Sequence, residues 1–294
     1  MTCPGSAHIL TGVVSRTGCR IFSAAAAVLD AMPPGARKAF ADLSALMCCS
    51  LSPSRRRSVR ANLEMAGPGR VKVLPVFRNH ALNMIEVFAS SRWDDEEIAS
   101  RIEFGSREVL DSALAAGRGV ILVTAHIGNW ELPAPYLASL GYRLHVVAGI
   151  QMNRLLSTAV RREKERRGIE VIEPHHPYRS LFRALSGGGI VALLLDGDVY
   201  EGGVETEFFG RPVQMPAGAA RLACRTGAPV VGACCRRHGE NRTRIHMETI
   251  LEPGEASERG VEYAQRTVFA ALERFIRGNI DQWCIFRPIW KGVA

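Results

Sequence analysis

His126 closes an apolar run, Val120-Ile-Leu-Val-Thr-Ala-His, and Glu131 follows it five residues later. An uninterrupted run of Val, Ile and Leu suits a strand buried on both faces, and Gly128-Asn129 behind it suits a turn into a helix. That puts an imidazole at the carboxyl end of a central strand, where open α/β sheets bind their ligands. Imidazole is the side chain best matched to proton transfer near neutral pH, so His126 is the candidate general base. A base of this kind needs a carboxylate to fix its tautomer and to stabilise the imidazolium. Two candidates exist. Glu131 lies close in sequence, whereas Asp196 ends a second apolar run, Ile190-Val-Ala-Leu-Leu-Leu. We favour Asp196 as partly catalytic and leave Glu131 as either an orienter or an anchor of the following helix. Gly128 and Asn129 fall where backbone N–H groups could face a developing oxyanion, which glycine permits by close approach. Asp198 reads equally as a turn residue and as a substrate contact.

The elements that must position these residues change character along the chain. Up to about residue 100 the apolar residues recur at helical spacing over 24–29, 36–47, 55–65 and 71–92, and Pro33-Pro34, Pro53 and Pro68 mark the breaks. From residue 109 helices and strands alternate, with strands expected near 119–126, 143–149, 169–173, 189–196, 228–236 and 243–250 and a last helix near 258–278. The expected architecture is α/β, a mostly parallel central sheet flanked by helices with an amino-terminal helical region. We read residues 1–100 as a helical membrane-docking region and 101–294 as the α/β part, the two forming one continuous folding unit.

Charge suggests the partner. The chain of 294 residues carries a formal net charge of +8, which favours an anionic partner. Its basic residues cluster in Arg55-Arg56-Arg57 with Arg60, in the run from Arg161 to Arg167, and in Arg236-Arg237. Few aromatics interleave with them and no nucleic-acid motif occurs, so the expected partner is an anionic membrane surface and not nucleic acid. Arg161, Arg162, Lys164 and Arg166 follow the second predicted strand, which makes them the first choice for an anionic head group or a phosphate; Arg211 is a further candidate. The apolar stretch from Ile21 to Leu29 stops at Asp30, well short of the roughly 20 residues that span a bilayer. No signal peptide is recognised, so peripheral attachment to a cytosolic membrane face is expected. The eight cysteines have no zinc-site spacing and are expected reduced and buried, and His175-His176 lacks a metal-site carboxylate, so no metal is expected. A lipase is disfavoured because no G-x-S-x-G elbow occurs.

The His-x4-Glu spacing of His126 and Glu131 resembles the H-x4-D/E motif of the glycerolipid and lipid A acyltransferases. His126-Ile-Gly-Asn-Trp-Glu is most similar to the branch holding the late lipid A acyltransferases and the phosphatidylinositol mannoside acyltransferases. Leu193-Leu-Leu-Asp-Gly-Asp-Val, Val204 to Gly218 and Ala219 to Pro229 follow in the family's order, and looser similarity runs from Arg55-Arg-Arg-Ser-Val-Arg-Ala-Asn-Leu to Gln282-Trp-Cys-Ile-Phe-Arg-Pro-Ile-Trp. The resemblance implies a glycerolipid acyltransferase-like fold and transfer of a fatty acyl chain from acyl-CoA or acyl carrier protein to a hydroxyl of a glycolipid or phospholipid, with no cofactor. It also implies an acidic partner for the histidine at Asp196. Two departures stand out: relatives often carry an arginine where this chain has Lys164, and many carry an amino-terminal spanning helix. A non-catalytic or hydrolytic lipid-binding protein of the same fold is the alternative reading.

Overall fold

The computed structural model describes residues 20–67, 72–148, 154–173, 178–197, 203–239 and 241–290. Helix α1 covers residues 20–31, followed by α2 (Pro34–Leu51), α3 (Pro53–Ala66) and α4 (Leu74–Ala89). Each of α2, α3 and α4 carries proline in its first turn, where the missing N–H removes no helical bond. In α2 the buried residues are Ala41 and Ala45, whereas Phe40, Leu43, Leu46, Met47 and Leu51 stay exposed. Small inward residues let α2 lie against α4, and its large apolar residues face outward.

The rest alternates: α5 (Asp95–Ser100), β1 (Ile102–Phe104), α6 (Arg107–Ala115), β2 (Val120–Thr124), α7 (Pro133–Ser139), β3 (Leu144–Val147), α8 (Arg154–Arg166), β4 (Glu170–Ile172), α9 (Tyr178–Ser186) and β5 (Ile190–Leu194). A hairpin, β6 (Val204–Phe208) with β7 (Arg211–Met215), leads to α10 (Gly218–Thr226), β8 (Val230–His238), β9 (Arg242–Leu251), α11 (Glu255–Arg259) and α12 (Val261–Arg277). Seven strands form one sheet in the order β1-β9-β8-β2-β5-β3-β4. Neighbours run parallel except β8 and β9. The expected α/β class with a mostly parallel sheet and an amino-terminal helical region is what the chain forms.

All five residues of β2 are buried, as its apolar run requires. Ile121 and Val123 enter a core shared with Val59, Leu63, Val76 and Phe77 of the amino-terminal helices, while Val120 and Leu122 enter a second core with Leu137, Leu144 and Met247. Alternation of side chains across the pleat is the cause. Each of the six expected strands has a counterpart, residue 149 lying outside the described residues. Strand β1 and the hairpin were not expected. The hairpin turn is Phe209-Gly210, both with positive φ (54° and 74°), the two-residue geometry that matches the twist of paired strands.

One register fact organises the site. Strands β2 and β5 are adjacent and parallel with Thr124 opposite Leu194. The chain therefore leaves both strands at the same level, and His126 and Asp196 are each two residues further on.

Candidate active site

That register brings the two side chains together. His126 Nδ1 lies 2.7 Å from Asp196 Oδ1, and the His126 backbone N–H donates to Asp196 Oδ2 at 2.8 Å. Trp283 Nε1–H donates to the same Oδ2 at 2.8 Å. Asp196 is fully buried. Burial by itself pushes the carboxyl up, but the His126 charge and the hydrogen bonds from His126 and Trp283 outweigh it and hold Asp196 below the ordinary carboxylate range. An ionised Asp196 only accepts, so the imidazole proton sits on Nδ1 and leaves Nε2 with a free lone pair. The His126 ring remains partly exposed, 26% by side chain, so that nitrogen is reachable. Trp130 meets the ring edge to face at 4.9 Å.

The loop carrying His126 is held from behind by a buried polar network. Arg237 Nη2–H donates to Glu86 Oε2 at 2.8 Å, and Arg237 Nε–H to Asn79 Oδ1 at 3.1 Å. Asn79 donates to the Gly128 carbonyl at 3.1 Å, Asn83 donates to the same oxygen, and Asn129 donates to Glu86. Gln282 closes the ring: its Oε1 accepts from Arg237 N–H at 2.8 Å and its Nε2 donates to Arg237 O at 3.1 Å. Farther along, the Cys284 N–H donates to His126 O at 2.8 Å. On α3, the buried Asn62 fixes the same terminal segment by bonding Arg287 O (2.8 Å), Ile285 O (3.3 Å) and the Ile289 N–H (3.1 Å).

These bonds overturn the oxyanion assignment for Gly128 and Asn129. The Gly128 N–H donates to Gln282 O and the Asn129 N–H to Cys235 O, each at 3.1 Å, so neither is left for a substrate. Gly128 has φ +58°, and a Cβ there would lie 2.0 Å from Cys235 O. Glycine is needed for contact with β8. The Asn129 side chain also serves structure, its Oδ1 accepting from the Glu131 and Leu132 N–H groups at 3.1 Å each.

Glu131 pairs with Lys164 of α8 at 2.7 Å, both side chains mostly buried, whereas the carboxylate on His126 Nδ1 is that of Asp196. The basic run on α8 is likewise engaged with protein carboxylates. Arg161 pairs with Glu165 and Glu173 at 2.8 Å each, and Arg166 with Glu163 at 2.7 Å. Arg162 borders a hollow of about 440 Å³ between α1 and α8. Arg211 is exposed and opens β7 just after the hairpin turn. Asp198 lies outside the described residues, as do His175 and His176. Two further expectations need correction. Arg237 is buried in an ion pair instead of joining Arg236 on a basic face, because successive residues of β8 point to opposite sides. Cys48 is exposed, and Cys234, Cys235 and Cys284 are buried as expected, burial raising the Cys234 thiol to about 11. Among the described residues no cluster of His, Cys, Asp or Glu has a metal-binding arrangement.

Several residues around His126 escaped the sequence reading. Asn79, Asn83 and Glu86 recur at helical spacing on an otherwise apolar helix, a polar stripe that marks a buried face with work to do. His80 stands beside them and packs on Phe286 with ring centroids 4.7 Å apart. Desolvation first, then the charges of Arg55 and His126, lower its pKa to about 4.

Comparison with known proteins identifies the family. The family model for bacterial lipid A biosynthesis acyltransferase matches residues 13–292. A phosphatidylinositol mannoside acyltransferase of Mycobacterium tuberculosis (strain CDC 1551 / Oshkosh) is 31% identical over 156 residues, covering 51% of this chain and 49% of the relative. A phosphatidylinositol mannoside acyltransferase of Mycolicibacterium smegmatis (strain ATCC 700084 / mc(2)155) is 28% identical over 210 residues, covering 70% of this chain and 67% of the relative. The match to the M. tuberculosis protein thus spans about half the length of that relative.

Proposed function

Since this chain belongs to the bacterial lipid A biosynthesis acyltransferase family, we propose that it is a membrane-associated O-acyltransferase. In this reading it moves a fatty acyl chain from acyl-CoA or acyl carrier protein to a hydroxyl of a glycolipid or phospholipid of lipid A or phosphatidylinositol mannoside type. The observation that carries the proposal is the pair formed by His126 and the buried Asp196, 2.7 Å apart at the carboxyl ends of adjacent strands.

The chemistry follows from the tautomer. His126 Nε2 takes the proton of the acceptor hydroxyl as its oxygen attacks the thioester carbonyl, and Asp196 stabilises the imidazolium that forms. The tetrahedral intermediate collapses by expelling the thiolate, which recovers the proton from His126. No acyl-enzyme is required. Purified protein supplied with radiolabelled acyl thioester and lipid acceptor is expected to form acylated lipid, and His126→Ala to lose at least about a hundredfold in rate while remaining folded. A variant retaining most of the activity would remove His126 as the base. Lipid profiles of cells with and without the protein would then name the acceptor by the acylated species that is lost.

Membrane attachment has its own support. No helix of the described residues is long and apolar enough to cross a bilayer. The exposed Phe40, Leu43, Met47 and Leu51 of α2 instead form an apolar row, with Arg55, Arg57 and Arg60 exposed just beyond it on α3. Apolar insertion combined with attraction of about 1 kcal/mol per well-placed cation suits a peripheral protein on an anionic leaflet, which we place at the cytoplasmic face. Binding to anionic vesicles should weaken as salt rises, and neutral vesicles should bind less. Retention on native membranes through both high salt and alkaline carbonate would point to an inserted segment instead.

A further inference from the structure

Acyl transfer develops negative charge on the thioester oxygen, and a donor that meets it is worth roughly two to three orders of magnitude in rate. The backbone N–H groups of Ile127, Gly128 and Asn129 on the histidine loop are all bonded to carbonyls. The question is which group near His126 has a hydrogen bond left to give.

Helix α4 is pinned against the histidine loop because both Asn79 and Asn83 donate to the Gly128 carbonyl. His80 lies between them on the same helix. Its ring rests on Phe286, two residues beyond Cys284, whose N–H holds His126 O at 2.8 Å. His80 and His126 are close enough for their charges to repel, and Arg55 adds a further cation from α3. His80 Nδ1 is shut off from solvent and has no hydrogen-bond partner among the described residues. A buried N–H without an acceptor is among the rarest defects in folded proteins, so the ring proton belongs on Nε2. The residue as a whole is only partly buried, which leaves Nε2 the nitrogen that can reach a ligand. Among the described residues His80 makes no hydrogen bond, and its ring contact is with Phe286.

We propose that His80 Nε2–H donates a hydrogen bond to the thioester carbonyl oxygen as it becomes the oxyanion. This deepens the acyltransferase reading and rests on it. When the acceptor oxygen bonds to the carbonyl carbon, the C=O π pair moves onto the carbonyl oxygen and His126 takes the hydroxyl proton. The pair returns as the carbon–sulfur bond breaks, and the thiolate takes the proton from His126. His80 holds its own proton throughout. A neutral imidazole suits this work, since an imidazolium beside His126 would oppose the positive charge that the base must acquire. Desolvation and the neighbouring cations keep His80 neutral down to about pH 4.

The test compares His80→Phe, which keeps the ring volume but has no donor, with His80→Gln, which keeps an N–H. With dodecanoyl-CoA as donor, His80→Phe should lower kcat by about 10²- to 10³-fold while KM for the donor changes less than about threefold. His80→Gln should recover at least tenfold of that loss. Dodecylphosphonate, a tetrahedral anion, should bind His80→Phe at least tenfold more weakly by calorimetry, measured in a His126→Ala background that cannot turn over. Unchanged kcat in a folded His80→Phe, equal losses in the Phe and Gln variants, or undiminished phosphonate binding would each overturn the proposal. Absence of acyl transfer by the unmodified protein would instead overturn the functional reading, while the phosphonate comparison would still decide whether His80 meets a tetrahedral anion.

Discussion

The two sides of the His126 loop use their polar groups in opposite ways. Behind the loop, Glu86, Arg237, Asn79, Asn83 and Gln282 bond one another and the loop backbone. In front, among the described residues, neither His126 Nε2 nor His80 Nδ1 has a hydrogen-bond partner. Satisfied polar networks rigidify and specify one arrangement, whereas free hydrogen-bonding atoms in a cleft are what a substrate can engage. The difference separates residues that locate the chemistry from those that perform it. Stability and activity should therefore respond to different substitutions.

The largest effect is expected behind the loop. Arg237→Met leaves Glu86 as a mostly buried carboxylate without its cation and should destabilise by about 3–5 kcal/mol, read from chemical denaturation. If stability held and only turnover fell, the network would belong to the chemistry. Next comes the front. Asp196→Asn preserves shape but removes the charge beside the imidazole, and should lower turnover by roughly 10²-fold or more. The acidic limb of its pH–rate profile should move to lower pH, because an imidazolium without its carboxylate gives up its proton more readily. An unchanged profile in Asp196→Asn, with the shift appearing in Glu131→Gln, would transfer the orienting role to Glu131.

Glu131 should behave as part of the frame. Its replacement by Gln strands Lys164 and should cost about 1–3 kcal/mol of stability, with activity falling through misplacement and little change in pH profile. Adding Lys164→Met to that variant should restore part of the loss, a coupling that a double-mutant cycle would measure. The smallest effect concerns stability against pH. The folded pKa of His80 is lowered from 6.5 to about 4, so the unfolded chain binds its proton first as pH falls. Stability should decline through that window, and His80→Gln should flatten the decline. An identical slope in the variant would mean that His80 is not held neutral by the fold.

Much of this was readable in the chain. The runs around 120–124 and 190–194 are apolar enough to announce buried strands, and a shared register two residues before His126 and Asp196 suffices to unite them. Periodicity could not show the contents of the spaces between elements. Arg237 reads as surface charge until β8 is known to alternate, with Glu86 waiting on a helix 151 residues earlier. Nothing in the pattern around Trp283 shows that its indole bonds Asp196. The short strand β1 has too few residues for any pattern, and each strand of the hairpin has only five residues. Gly128 and Asn129 misled for a related reason: position after a strand suggests open N–H groups, but the carbonyls that occupy them come from residues 282 and 235.

Gly128 also carries a genetic consequence. Its backbone is left-handed, and the space where a Cβ would stand is filled by the Cys235 carbonyl and the Arg237 nitrogen, at 2.0 and 2.7 Å. Both are main-chain atoms of a buried strand and cannot swing aside. In the genetic code every change at the first or second base of a glycine codon replaces the residue or ends the chain, and every change at the third base leaves glycine. Saturating this codon should therefore divide sharply, with silent third-base variants functional and the replacements inactive, although the N–H of residue 128 is already engaged by the Gln282 carbonyl.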